Sequence, residues 1–224
     1  MRNFKSIALL LMVLLGSAGC ATVQQWIPQD NTQHVDEAAV EETTDEVVAI
    51  DLFKQSAKPL SAEHKQQLAA LQRALEKGDR QAFPSVIEAL LRLTGRAQTP
   101  SLIHSALGDA YAEVNDTEQA VLHWQHALEI NPFNYFSHLR LASHYKGAGE
   151  FAQAEAHYDE AINAWQDLPE GYRNRGIFFD LYQGKKASAL RDYGRYRELL
   201  VAQGESTQIV DRWIKEMQNA MDEN

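Results

Sequence analysis

From Ser61 onward, apolar residues recur every three to four positions, the spacing that places them on one face of an α-helix. Short clusters of glycine, asparagine and aspartate interrupt this pattern about once per helix length. These interruptions are Lys77-Gly78-Asp79, Asn115-Asp116, Gly147-Ala148-Gly149, Gln183-Gly184 and Gln203-Gly204. The alternation typical of strands is absent, so the pattern predicts an all-α chain of antiparallel helices.

The helical part contains an internal repeat with a period of 34 residues. Its first helix, helix A, carries the same small and bulky positions in each copy: Leu107, Gly108 and Tyr111, then Leu141, Ala142 and Tyr145, then Arg175, Gly176 and Phe179. Its second helix, helix B, also has recurring positions: Ala120, Trp124 and Ala127, then Ala154, Tyr158 and Ala161, then Ala189, Tyr193 and Tyr196, which come one residue late. The late copy predicts one extra residue in the turn near Gly184.

These positions have a direct physical meaning. Small residues where helix A meets helix B allow close approach, and bulky ones fill the space between successive pairs. One pair cannot bury its apolar face alone, so the pairs are expected to stack.

The residues of this repeat resemble the tetratricopeptide repeat (TPR) family. The first copy, 101–134, matches all but one signature position, where His104 stands in place of the usual tryptophan. The second copy is 135–168, and the third, 169–202, departs at Arg175. The resemblance implies a TPR superhelix, an α-α solenoid, with three clear repeats over 101–202.

Both flanks of the repeats are also predicted to be helical. Residues 61–97 form a degenerate TPR-like helix pair, whose second helix begins at or near Pro84 because proline is tolerated only in a first turn. Residues 205–222 form a helix with one apolar stripe: Ile209, Val210, Trp213, Ile214, Met217 and Met221. We interpret it as a capping helix on the last repeat; a separate docking helix is the alternative.

The N-terminus has the pattern of an export signal. Arg2 and Lys5 precede an apolar run from Ile7 to Leu15, which is too short to span a bilayer, and Cys20 follows small residues. Residues 1–19 resemble a bacterial lipoprotein signal peptide. The resemblance implies cleavage before Cys20 and a lipid on its sulfur, and Ala21 after it implies the periplasmic face of the outer membrane of a Gram-negative bacterium. The alternative is an ordinary secretory signal that leaves Cys20 as a thiol.

Residues 20–60 differ in composition from the helical body. They are acidic, and their apolar residues lack a helical period, so this stretch is predicted to be a flexible tether between the anchor and the folded part. The short run from Val47 to Phe53 is a candidate docking element within it.

Composition and motifs exclude several functions. The formal net charge of −10 repels phosphate backbones, which argues against nucleic acid as a partner. A single cysteine excludes an internal disulfide and a multi-thiolate metal site. None of the common catalytic motifs is present, so we expect neither an enzyme nor a cofactor beyond the lipid on Cys20.

The number of histidines suggests a metal site, but their positions in the sequence give little support for one. His123 and His126 are three residues apart on one helix, but no third ligand is evident. We therefore expect them on a solvated outer face. His104 and His138 occupy the bulky position of helix A and are interpreted as packing residues.

The TPR resemblance also predicts where a partner would bind. In that family one face of each helix A lines a concave groove, and the corresponding residues here are Asp109, Glu113, Phe136, Arg140, Ser143, Lys146, Arg173, Asn174, Ile177 and Asp180. Arg140, Lys146 and Arg173 would form a basic strip suited to an acidic segment, with Phe136 as an apolar contact. Ordinary ion pairing with neighbouring acids is the alternative explanation of these charges.

The expected function is therefore a non-enzymatic, outer-membrane-anchored scaffold or adaptor in cell-envelope assembly. Lipid-anchored TPR proteins include pilotins of pilus secretins and scaffolds for peptidoglycan hydrolases, and the architecture does not choose between the pilus or secretion and the peptidoglycan machinery. A wall hydrolase is disfavoured because no stretch remains for a catalytic domain. The alternative is a self-assembling structural lipoprotein, a homo-oligomer that pairs through the C-terminal apolar helix.

Overall fold

The structure is a computed structural model that describes residues 51–95 and 99–222. Within these ranges it contains ten α-helices and no strand, and the helices are α1 (Leu52–Ser56), α2 (Ala62–Lys77), α3 (Phe83–Thr94), α4 (Ser101–Glu113), α5 (Thr117–Ile130), α6 (Tyr135–Ala148), α7 (Phe151–Ala164), α8 (Pro169–Leu181), α9 (Lys186–Ala202) and α10 (Gln208–Asp222). The predicted signal peptide, the lipidation site Cys20 and most of the predicted tether lie outside the described residues. Among the helices described, none has the length and apolarity needed to cross a bilayer.

The positions of the helices follow the period of the sequence. Successive A helices begin at Ser101, Tyr135 and Pro169, and the first two B helices begin at Thr117 and Phe151. The third B helix begins at Lys186, one residue late, and the turn before it contains Gly184 at a φ of 62°. Within the described residues, the all-α class with TPR-type helix pairs is therefore confirmed.

The described chain divides into two compact units, with the division inside α5 between His123 and Trp124. The first unit contains α2, α3, α4 and the beginning of α5. The second contains α1, the end of α5, and α6 to α10.

In the first unit, local sequence sets the ends of the helices. The hydroxyl of Ser61 accepts a hydrogen bond from the backbone of His64 at the start of α2, and Gly78 ends this helix in the left-handed region. Helix α3 begins at Phe83 with Pro84 in its first turn, as predicted. The buried core includes Leu68, Leu71, Phe83, Leu90, Leu93, Ile103 and Leu107.

In the second unit, small residues lie where paired helices meet. Ala142, Ala154 and Ala189 are completely buried. A Cβ atom at Gly176 on α8 would lie 2.8 Å from the ring of Tyr193 on α9, closer than atoms can pack. The small residues of the repeat therefore allow the close helix contacts that the sequence predicts.

The last helix, α10, packs on α9 with part of its apolar stripe. Val210 and Met217 are buried, and the ring of Trp213 lies 5.4 Å from that of Tyr193. Ile209 and Met221 of the same stripe remain 57% and 42% exposed. The helix thus covers α9 and leaves one edge of its stripe in solvent.

Candidate functional site

A segment that precedes the repeats in sequence is docked on the second unit. Phe53 of α1 is completely buried. Its ring centroid lies 5.6 Å from that of Phe136 on α6 and 6.1 Å from that of Trp165 at the end of α7. Tyr135 completes this group, with its ring edge-on to both Phe136 and Trp165 at 5.4 and 5.9 Å. We call Tyr135, Phe136 and Trp165 the aromatic seat.

Helix α1 owes its local form to short-range hydrogen bonds. The carboxylate of Asp51 accepts a bond from the backbone of Lys54 at 2.7 Å and forms an ion pair with the Lys54 ammonium at 2.8 Å. The hydroxyl of Ser56 lies 2.6 Å from the carbonyl of Leu52. A helix of five residues is unstable alone in water, so its order depends on the burial of Phe53 in the aromatic seat.

Polar contacts fix the orientation of the docked segment. The ammonium of Lys54 lies 4.4 Å from the centroid of the Trp165 ring, a cation–π contact. The hydroxyl of Ser56 lies 3.0 Å from Oδ1 of Asn131, which also accepts a bond from the backbone of Phe133. Nδ2 of Asn131 is buried, and no acceptor for it is found among the described residues.

This arrangement changes the interpretation of the tether. The sequence predicted a flexible tether through residue 60, whereas the structure places a helix at Leu52–Ser56 and buries Phe53. The reason is the single aromatic side chain of Phe53. Its burial in the aromatic seat stabilises the segment, although the residues around it are mostly polar. The alternative docking element from Val47 to Phe53 extends into the described residues only at its end.

The predicted groove residues of the second unit lie on two A helices. Phe136, Arg140 and Ser143 share one face of α6 by their helical spacing, and Phe136 is covered by Phe53 while Ser143 is exposed. The remaining groove residues of this unit are partly buried: Arg140, Lys146, Arg173, Asn174, Ile177 and Asp180. In the first unit Glu113 is partly buried, but Asp109 is only 8% exposed and offers little surface to a partner.

The basic strip has a partly desolvated electrostatic environment. Burial lowers the pKa of Lys146, whose ammonium lies 5.2 Å from the ring centroid of Tyr182. Burial also raises the pKa of Glu170, an effect that its own backbone N–H and the charge of Arg173 oppose. The pKa of Tyr135 is well above its usual value, mainly because the side chain is buried and secondly because the charge of Glu170 is nearby. Charges near the start of α8 thus act on the aromatic seat.

Two histidine pairs recur with the 34-residue period. His104 and His123 have Nδ1 atoms 3.1 Å apart, and Tyr111 stacks on His123 at 5.4 Å. His138, His157 and Tyr145 repeat this arrangement, with Nδ1 atoms 3.0 Å apart and the Tyr145 ring 5.4 Å from that of His157.

The expectation of a solvated outer face for His123 is therefore wrong. Its side chain is only 8% exposed because it packs between His104 and Tyr111. His126 is more accessible and lies 3.9 Å from the carboxylate of Glu129. The expectation of no third ligand near His123 and His126 is also wrong, because a ring nitrogen of His104 lies within 4.8 Å of one on each of them. The packing role expected for His104 and His138 agrees with their burial.

The third repeat lacks this histidine pair and contains an ion pair between its two helices. Arg175 stands where Leu107 and Leu141 stand in the earlier repeats, and it donates two hydrogen bonds to Asp192 and one to Asp159. Burial alone would lower the pKa of Arg175, but these carboxylates raise it above its usual value. The departure from the family pattern at Arg175 is thus compensated by partners on α7 and α9.

Several residues of the site were missed in the sequence. Trp165 and Asn131 each follow a B helix, outside the helix-A face used to predict the groove. Tyr135 lies next to Phe136 but on the adjacent face of α6. The signal that was available is the pair Leu52 and Phe53, which ends the apolar run from Val47 to Phe53.

The fold and the site define an all-α protein of TPR-type helix pairs with a docked N-terminal segment. No family model matches the chain, and no curated protein does. Among solved structures, "Crystal structure of MamA" is similar to it, with 15% sequence identity and a TM-score of 0.49, covering 66% of this chain and 99% of that chain. At that TM-score the likeness carries no weight for function, which rests on the residues described above.

Proposed function

We propose that this chain is a lipid-anchored, non-enzymatic scaffold that binds a segment of a partner protein on the helix-A face of its second unit. The observation that carries the proposal is the aromatic seat, which already holds a helical segment through one buried phenylalanine, Phe53. Interfaces of this kind derive most of their affinity from a few buried aromatic and arginine side chains.

The basic strip supplies the second element of this binding surface. Arg140 lies one helical turn from Phe136 on the same face of α6, and Lys146 lies further along this helix. Arg173 lies in α8, close enough to Tyr135 to affect its pKa. An acidic segment that enters beside the aromatic seat would meet these cations, and arginine can bind a carboxylate through two hydrogen bonds.

The anchor and the location belong to the same proposal. Lipidation of Cys20 would hold the protein on the periplasmic face of the outer membrane, and the partner would belong to the envelope machinery for pili, secretion or peptidoglycan. Replacing Cys20 with serine, or inhibiting the lipoprotein signal peptidase, is expected to prevent normal maturation and shift the protein out of the outer-membrane fraction. Unchanged fractionation of the mature protein would exclude the lipid anchor.

The binding surface is tested by photo-crosslinking in cells from position 143, because Ser143 is exposed and lies on the face of α6 that carries Arg140. We expect a protein adduct that mass spectrometry identifies and that the charge reversals Arg140→Glu and Arg173→Glu together reduce at least about tenfold. The matched control reverses two exposed arginines elsewhere, Arg191→Glu and Arg212→Glu. The proposal fails if both double variants yield the same adduct in the same amount.

A self-assembling structural lipoprotein is the second candidate, favoured by the exposure of Ile209 and Met221 on α10. Two exposed side chains are a small apolar surface compared with a stable dimer interface. Sedimentation of residues 21–224 at increasing concentration distinguishes the two functions. A mass that rises with concentration and returns to that of a monomer on Ile209→Ser would support self-assembly.

A further inference from the structure

We infer that residues 51–57 are a resident, displaceable ligand of the aromatic seat, and that the partner binds through a segment of the same chemistry. That chemistry is a phenylalanine preceded by an aliphatic residue and followed by a cation, as in Leu52-Phe53-Lys54. Binding of a partner in this way rests on the proposed function. Occupancy of the aromatic seat by residues 51–57 of the chain itself does not depend on that function.

Only one side chain of the docked segment is completely buried. Phe53 is completely buried, whereas Lys54, Gln55 and Ser56 are exposed. Anchoring by one aromatic residue in a preformed pocket is typical of a short peptide bound to a groove. It differs from the repeats themselves, in which each helix buries several residues.

The docking is also imperfect in ways that favour exchange. Helix α1 has five residues, which is too short to be stable in water without the aromatic seat. Asn131, whose Oδ1 contacts Ser56, has a buried Nδ2 with no acceptor within the part of the chain that the structure describes. A buried donor left unpaired weakens the docked state.

The contacts of the resident segment specify what can replace it. Two rings of the aromatic seat, those of Phe136 and Trp165, pack against Phe53, and the ring of Trp165 also receives the Lys54 ammonium. A cation at this position gains a cation–π contact that a carboxylate would lose. Acidic residues of the same partner would belong further along α6, where Arg140 and Lys146 lie.

Occupancy of the seat by the chain itself makes the two ligands mutually exclusive. A protein whose binding-competent state is a small fraction of the population shows an affinity reduced by that fraction. Removing the Phe53 side chain should therefore raise the apparent affinity of an external segment. The expected size is at least about tenfold if the seat is open less than about a tenth of the time.

The test measures fluorescence anisotropy of a labelled peptide that copies residues 49–58, titrated with unlipidated protein of residues 21–224. We expect the Phe53→Ala protein to bind this peptide at least about tenfold more tightly than the wild-type protein does. Gln55→Ala, an exposed change on the same helix, should behave as wild type. A peptide with Phe53→Ala should bind neither protein. Circular dichroism checks that each variant remains helical.

A second measurement keeps the inference testable if Phe53→Ala alters the fold. Hydrogen exchange at residues 51–57 of the wild-type protein should become faster when the peptide is added in excess, because the resident segment is displaced. Equal peptide affinities for wild type and Phe53→Ala, with exchange unchanged, would overturn the inference. The inference would also be overturned if the wild-type protein were a dimer that the peptide dissociates, because the aromatic seat would then hold a segment of a second copy.

The two proposals fail separately. The peptide experiment requires no partner. A positive result in it, with no crosslinked adduct at position 143, would support the resident segment as a ligand and reject the proposed scaffold function. An adduct that depends on Arg140 and Arg173, combined with equal peptide affinities, would retain the scaffold and reject the resident ligand.

Discussion

His138 and His157 face each other across the helix pair α6 and α7 with their Nδ1 atoms 3.0 Å apart. Nε2 of His138 lies 2.8 Å from the carbonyl oxygen of Pro132, which can only accept, so this nitrogen carries a proton. In the neutral state Nδ1 of His138 is then the acceptor, and Nδ1–H of His157 donates to it. The pair therefore has one defined arrangement of protons.

This pair predicts a loss of stability in mild acid. Burial lowers the pKa of His138, although its bond to Pro132 opposes the shift. Burial and then His138 lower the pKa of His157 to about 4, against an opposing effect of Glu160. Both residues are neutral in the fold and take up protons near pH 6.5 when unfolded. Their contribution is thus complete above about pH 6.5 and is lost as the pH falls toward 4.

The measurement is urea unfolding at several pH values between 7.5 and 4.5. His157 is partly exposed, so solvent screening reduces the effect, and we expect a loss on the order of 1 kcal/mol across this range. His157→Phe preserves an aromatic ring against Tyr145 but removes one of the two titrating groups. This variant should lose less stability between pH 7.5 and 4.5 than the wild-type protein. If the wild-type and His157→Phe proteins lose stability in parallel, another group is responsible.

The ion pair between Arg175 and Asp192 predicts a large coupling energy. The side chains are 20% and 6% exposed, so removing one partner leaves the other charge poorly solvated. Asp192→Ala or Arg175→Leu alone should each cost about 2–4 kcal/mol of unfolding free energy. Together they should cost less than the sum by about 1–3 kcal/mol, because neither charge of the pair is left buried without the other, and Asp159, the second partner of Arg175, is 50% exposed.

Chemical denaturation of the four proteins gives this double-mutant cycle. Arg175→Leu restores the leucine of the first two repeats, so the double variant also tests whether the third repeat tolerates the family pattern. Additive losses would show that the two side chains do not stabilise each other.

The two glycines of the third helix pair should respond oppositely to alanine. At Gly176 a Cβ would lie 2.8 Å from the ring of Tyr193, so Gly176→Ala should destabilise by about 1–3 kcal/mol. At Gly194, within α9, a Cβ would meet no atom within 4 Å. Gly194→Ala should therefore stabilise by about 0.5–1 kcal/mol, the difference in helix propensity. Thermal unfolding compares the two variants, and a shift in the same direction for both would contradict this packing.

The sequence predicts the helix pairs well because their period is local and repeated. Small residues such as Gly176 recur where helices must approach, and the one-residue delay before Lys186 can be counted directly. The aromatic seat was not predictable in the same way. Phe53 is separated from Trp165 by more than a hundred residues, and no periodic signal links a short segment to its docking site. The pairing of His123 with His104 was missed because each was assigned to a helix face by itself.

Helix α10 offers a final test of burial, because adjacent aliphatic residues lie in different environments. Val210 is 1% exposed and packs toward α9, whereas Ile209 is 57% exposed. Val210→Ala should cost about 1–2.5 kcal/mol through lost burial and the cavity left behind. Ile209→Ala removes more atoms but should change the unfolding free energy by no more than about 0.5 kcal/mol. Urea unfolding of both variants measures this contrast, and a larger loss at Ile209 would mean that the other edge of the stripe is the one that packs.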